Sequence, residues 1–134
     1  MERFGVRTSR RCELIDITGE VAGAVERSGV AGGVVVVYCP HTTAGITINE
    51  NADPSVRADI CMKTSKLIEE HDQDYRHAEG NSDAHVKSSL VGASETVVID
   101  GGRLMLGRWQ AIYFAEFDGP RSREVYLKII GQGG

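Results

Sequence analysis

Three histidines carry most of the chemistry that this sequence can offer. His41 opens the stretch His41-Thr42-Thr43-Ala44-Gly45. His77 and His85 bracket His77-Ala78-Glu79-Gly80-Asn81-Ser82-Asp83-Ala84-His85. A catalytic zinc ion takes imidazole nitrogens at about 2.0–2.1 Å, with three protein ligands and one open position. His41, His77 and His85 could be those three. On one straight helix, the last two rings would stand about 12 Å apart, too far to share an ion. Gly80 and Asn81 break the helix between them, so the chain can fold back. Asp83 and Glu79 are then the carboxyl groups placed to move protons, hold water or orient a ring. The competing reading is plain: loop histidines are usually surface residues, and Asp83 in a first turn complements the helix dipole.

Phosphate chemistry is the second expectation. A helix beginning near Ser82 presents free backbone N–H groups, which favour anions. Thr42, Thr43, Asn49, Asn81, Ser89, Gln110 and Arg121 form the expected substrate- and phosphate-binding set. Singly, each has an ordinary alternative. Thr42, Thr43 and Ser82 could cap turns, Ser89 could allow close helix packing, and Arg121 could pair with Asp118. Gln110 and Glu116 share a strand face and either line the pocket or form the solvated side of a sheet. Cys39 and His41, two apart, could act as nucleophile and base. A small buried cysteine at a strand end is the commoner case. His71 follows Glu69-Glu70 at a helix end and reads as structural.

The elements that must position these residues follow from patterning. Residues 3–17 read as two strands around Ser9-Arg10-Arg11. Thr18 caps a helix that runs to about Ser28 and stops at Gly29. Residues 33–39 are a β-branched strand, ended by Pro40. Residues 44–49 alternate like a strand. Asp53 and Pro54 suit the N-cap and first position of a helix. Val56, Ile60, Leu67 and Ile68 form its apolar stripe, expected to face the core. Residues 70–81 are irregular, and a further helix runs from Ser82 or Asp83 to Val91. Residues 96–99 and 104–106 flank Asp100-Gly101-Gly102, a hairpin signal. Two longer strands, 109–117 and 125–130, meet through Asp118-Gly119-Pro120. The order β-β-α-β-β-α-α-β-β-β-β predicts an α+β domain with a mainly antiparallel sheet or sandwich and two to three helices.

The chain has 134 residues, the size of one domain (1–134). Its 41% hydrophobic and 25% charged content is that of a globular protein. Only residues 131–134 and the first few are expected to be loose. The net charge of −4 and scattered basic residues exclude a nucleic-acid surface. Three cysteines without C-x-x-C fit neither a disulfide framework nor a zinc ribbon, and suit a reducing, cytoplasmic compartment. Residues 1–5 lack the apolar run of a signal peptide. The longest apolar run, residues 34–38, is too short to span a bilayer, so no membrane partner is expected. Ile112, Phe114, Tyr126 and Ile130 look exposed on the last strands. They suggest a self-associating surface from which Arg121 reaches a neighbour's pocket.

Taken together, the motifs resemble a known family. The stretch from His41 to Asn51 followed by Asp53-Pro54 is similar to the first signature of the YjbQ-like family. The stretch from Glu79 to Ser89 resembles its second. Gly102-Arg103-Leu104 through Gly107, Trp109-Gln110, and Glu116-Phe117-Asp118-Gly119-Pro120-Arg121 resemble its third. The resemblance covers essentially the whole chain. It implies an α+β fold, a homotrimer, and a histidine-rich site able to hold a divalent metal, zinc or magnesium. Some members are described as secondary thiamine-phosphate synthases, so it also implies a small phosphorylated metabolite as substrate. A metal-assisted hydrolase and a non-catalytic binding protein are the alternatives.

Overall fold

The computed structural model describes residues 1–132. The elements are β1 (Glu2–Arg7), β2 (Glu13–Asp16), α1 (Thr18–Ser28), β3 (Gly33–Tyr38), β4 (Ala44–Glu50), α2 (Pro54–Leu67), α3 (Ser82–Val91), β5 (Ser94–Asp100), β6 (Arg103–Leu104), β7 (Gln110–Glu116) and β8 (Ser122–Gly131). This is the element order that the sequence predicts. The strands form two antiparallel sheets, β1-β8-β3-β5-β6 and β2-β7-β4.

β3 is the spine of the larger sheet. Its four consecutive valines are stiff at χ1 and fit a pleated surface. Val35 and Val37 point inward and are fully buried. The register sets Val35 between Val97 of β5 and Ile129 of β8. β7 is the centre of the smaller sheet, and both of its faces are buried. Ile112 and Phe114 join a core shared with Val35, Val37, Ile46 and the α1 residues Val21, Ala24 and Val25. Ala111, Tyr113 and Ala115 face a second cluster with Leu14, Ala84 and Phe117. The expectation that Ile112 and Phe114 are wet is therefore corrected. A central strand of a covered sheet has no solvent face, and burying each such side chain stabilises by about 1.5–3 kcal/mol. Tyr126 is half-buried and Ile130 is exposed.

α1 closes the main core. Asp16 Oδ1 accepts the Thr18 N–H at 2.9 Å, and Gly29 ends the helix at φ 70°. α3 is fixed to β4: Ser88 Oγ donates to Ala44 O at 2.6 Å, and Ile46 N–H donates to Gly92 O at 3.1 Å. The backbones approach so closely that a Cβ on Gly45 would overlap Gly92 O. α2 begins as expected, with Asp53 accepting the Ser55 N–H at 2.9 Å. Its stripe does not reach the core, however. None of its residues is buried, and Leu67 is 71% exposed. Only Ile60 touches the second cluster, because β2, the strand beneath, is just four residues long.

Two further expectations need correction. Cys12 and Cys61 form a disulfide, with Cα atoms 5.8 Å apart, inside the usual range. The fold brings together cysteines 49 residues apart, a pairing that counting and C-x-x-C spacing cannot register. The termini are also tied down. β1 starts at Glu2 and pairs with β8, which runs to Gly131. The expectation for residues 133–134 lies outside the described residues. Among the described residues, no helix is long and apolar enough to cross a membrane.

Candidate functional site

Three chain segments converge at one end of the sandwich. The β3–β4 turn brings His41, Thr42 and Thr43. The residues leading into α3 bring Glu79, Asn81 and His85. The β7–β8 turn brings Asp118, Arg121 and Arg123. With Pro40 they line a mostly polar cavity of about 360 Å³.

Its floor is an ion pair. Glu116, the last residue of β7, is fully buried, and Arg123 of β8 is 7% exposed. Arg123 Nε donates to Glu116 Oε1 at 2.8 Å, and its Nη2 donates to Glu116 Oε2 and to Thr43 Oγ1. Glu116 also accepts the Thr8 hydroxyl at 2.8 Å and the Asp118 N–H at 3.0 Å. Burial alone would push the Glu116 carboxyl up. The bonds from Arg123, Asp118 and Thr8 outweigh it and hold the group below the usual carboxylate range.

Asp118 forms the wall. It accepts from Asn81 Nδ2 at 2.8 Å, from Arg121 Nη2 at 3.0 Å and from Arg11 Nη1 at 3.2 Å. Burial raises its pKa, but Asn81, Arg121 and Arg11 together leave it lowered. Behind it, the fully buried Asp83 is bracketed by Arg11 and Lys87, each at 2.9 Å. Gly119 lets the turn press onto the Arg10–Arg11 loop, since a Cβ there would overlap Arg10 O. Arg121 is half-exposed and commits Nε and Nη2 to Asp118. Its Nη1 makes no hydrogen bond among the described residues, so one edge of the guanidinium is open to an anion.

His41 Nε2 accepts the Glu124 N–H at 2.9 Å, which caps a β8 donor beyond the end of β3. Burial, and then the positive charge of Arg123, lowers the His41 pKa. The ring is therefore neutral at pH 7, with its proton on Nδ1. His85 lines the same cavity, and the His77 ring stands edge-on to it with centroids 5.4 Å apart. The chain does fold back at Gly80, which has φ 79°. His77 Nε2 lies 3.8 Å from Glu79 Oε1. Among the described residues, no three His, Cys, Asp or Glu groups are placed to hold one ion.

Of the other expected site residues, Thr42, Thr43, Glu79, Asn81 and Arg121 line the cavity. Thr43 is also a strut for Arg123. Asn81 spends its amide nitrogen on Asp118, and its buried Oδ1 has no partner among the described residues. Asp83 is sealed in the charge network and does not line the cavity. Ser89 donates to His85 O on the outer side of α3. Asn49 is exposed and bonds the Glu50 N–H, well along β4 from the turn. Gln110 accepts the Gly107 N–H at the far end of β7 from Glu116, about 20 Å away along the strand. Arg121 lines the cavity of its own chain. Cys39 is buried and directs its thiol to His41 O, not to the ring, and burial pushes the thiol up. Sequence reasoning missed Arg11, Thr8 and Lys87. Only the position of Arg11 in a turn beside two strand ends hinted at its role.

The family model described as "UPF0047 protein YjbQ-like" matches residues 2–132. A UPF0047 protein of Methanocaldococcus jannaschii is 57% identical, over 96% of this chain and 93% of that protein. UPF0047 protein YugU of Bacillus subtilis is 54% identical, over 98% and 99%. A crystal structure of an uncharacterised YjbQ/UPF0047 protein from Clostridium acetobutylicum superposes with a TM-score of 0.95 at 54% identity, covering 97% of this chain and 100% of the other. The chain thus belongs to the UPF0047, or YjbQ-like, family.

Proposed function

We propose that the cavity takes a small phosphorylated metabolite and that the chain is a metal-dependent enzyme acting on it, with thiamine-phosphate synthesis as the specific reaction to test. One observation carries this reading: the open edge of Arg121 and two imidazoles line a single polar cavity. Arg121 binds the phosphate. The Glu116–Arg123 pair holds Thr43 in place, while Glu79, the exposed carboxylate at the rim, exchanges protons. His77 and His85 are the paired imidazoles, whose chemistry suits zinc better than magnesium, and His41 would have to release the Glu124 N–H to join them. A divalent ion bound there would neutralise charge building on a departing pyrophosphate. A cytoplasmic homotrimer completes the proposal, and the exposed Tyr38, Val98, Met105 and Ile130 supply apolar surface for it.

A second reading is a binding protein without chemistry of its own. It is favoured by one observation: Asp83, the other candidate proton carrier, has both oxygens committed to Arg11 and Lys87. Purified protein is incubated with the pyrimidine-methyl pyrophosphate, the thiazole phosphate and zinc or magnesium, beside Arg121→Ala and His85→Ala. Thiamine phosphate formed by wild type and lost in both variants supports the enzyme. Hydrolysis of either precursor, lost in His85→Ala, shifts the reaction to phosphate hydrolysis. Binding without turnover supports the second reading. No binding of either precursor overturns both.

A further inference from the structure

Cys12 and Cys61 stand outside the cavity, and nothing in the proposed function uses them. Both are half-buried and line a separate cavity of about 310 Å³ with Arg10, Glu13, Pro54 and Arg57. A small reductant can therefore reach the sulfurs. α2 depends on this bond more than on packing, since it buries no residue. The neighbour of Cys12 is Arg11, whose guanidinium bridges Glu70 at 3.3 Å, Asp83 and Asp118. Two adjacent residues thus fasten the segment between β4 and α3, beside the packing of Ile60 and the stacking of Arg57 on Tyr113. Cys12 holds α2 covalently, and Arg11 holds the following segment and the cavity wall. That segment leads to Glu79 and Asn81, which line the cavity.

We propose that Cys12 and Cys61 are a redox-active pair that clamps α2 and residues 68–81 onto the body when oxidised and releases them when reduced. Its exchange partner is a small thiol that carries carboxylates. Arg10 and Arg57 line the same cavity as the sulfurs, outnumber its one carboxylate, Glu13, and so attract the partner's carboxylates and favour the departing thiolate. In the step, the partner's thiolate attacks one sulfur and the S–S bond breaks. A mixed disulfide forms, and one cysteine leaves as thiolate. A second partner thiolate attacks the mixed disulfide and frees the other cysteine. Two small thiols become one small disulfide, their two electrons reduce the pair, and their two protons end on Cys12 and Cys61. Reversal with the small disulfide as oxidant closes the clamp. Cys39 takes no part, because it is buried at the end of β3.

The test uses the full chain, oxidised, with glutathione or cysteamine at equal thiolate concentration. Alkylation and mass spectrometry count the free cysteines. Glutathione should open the bond about tenfold faster than the cationic thiol, and Arg57→Ala should bring the two rates together. On reduction, amide exchange in residues 54–81 should speed up about tenfold or more, while β3 and β7 keep their protection. A Cys12→Ser/Cys61→Ser chain should show the reduced pattern in either buffer. The clamp is overturned if Cys12 and Cys61 alkylate before any reductant is added, or if exchange is the same in both states. It is equally overturned if the double variant still responds to redox conditions. Equal rates for the two thiols overturn the acidic partner.

Discussion

Replacing Arg123 by Met leaves a fully buried carboxylate, Glu116, without its cation. Met replaces the aliphatic stem of the side chain without the guanidinium, so the packing of the stem is kept. Two bonds to Glu116 and two to Thr43 disappear. Removing one partner of a buried pair costs about 3–5 kcal/mol, a large share of the roughly 5–15 kcal/mol that keeps a domain folded. For a chain of this length, that should lower Tm by roughly 10–20 °C. The cost depends on pH in a definite direction. In the wild type, the folded pKa of Glu116 lies below its ordinary value of 4.5. The group therefore stabilises the fold above about pH 4.5 and loses that contribution as pH falls through the folded value. In Arg123→Met, burial dominates and the folded pKa rises, so the penalty is full at neutral pH and fades in acid. Urea unfolding at pH 7 and near pH 4 measures both ends. Adding Glu116→Gln, whose amide oxygen can still accept the Asp118 N–H while its NH2 donates to the Thr8 hydroxyl oxygen, should recover about 2 kcal/mol or more at pH 7. A loss at pH 7 below about 1 kcal/mol, the worth of a surface pair, would refute the reasoning. So would a loss that is equal at both pH values.

Gly119→Ala should destabilise by about 1–3 kcal/mol and weaken inorganic phosphate binding, because the new Cβ separates the Asp118 turn from the Arg10–Arg11 loop; calorimetry and thermal melts check this. The His41 ring should titrate by NMR with a midpoint below 6.5, since burial and Arg123 both disfavour its cation. Because the folded value is lowered, stability should fall as pH drops below 6.5, and a midpoint above 6.5 would contradict the neutral ring. Arg11→Ala should cost about 1–3 kcal/mol by leaving Asp83 with Lys87 alone. Arg121→Ala, at a half-exposed side chain, should cost less than about 1 kcal/mol yet abolish phosphate binding.

Much of the fold was legible because its signals are local. The valine run of β3, the Asp53-Pro54 start of α2 and the Gly-Gly hairpin each state their own structure. The β3–β4 turn and the start of α3 were singled out from His41, His77 and His85, and the fold brings both segments to one cavity. Arg11 and Cys12 were not legible. Their importance arises from partners 49 to 107 residues away, brought close by the pairing of β2 with β7. The α2 stripe misled for the opposite reason. Helical spacing says which residues share a face, and not whether the neighbouring surface is broad enough to cover it. Asp83 has the residue type for acid–base work, but two cations seal it from the cavity.

β8 lies between β1 and β3 in the larger sheet. A ribosome that has made β1 must add about 115 residues to reach the first residue of β8. At roughly 5–20 residues per second, β1 and one edge of β3 wait unpaired for several seconds or more. The valine-rich β3 is then an exposed edge of the kind that recruits other chains. Arg123 arrives on that same late strand, just after Glu116, so their buried ion pair forms only when the sheet closes. Completion of the sheet and completion of the site are therefore one event in biosynthesis. A nascent chain stalled before β8 should be a client of holding chaperones and should not be a partly working protein.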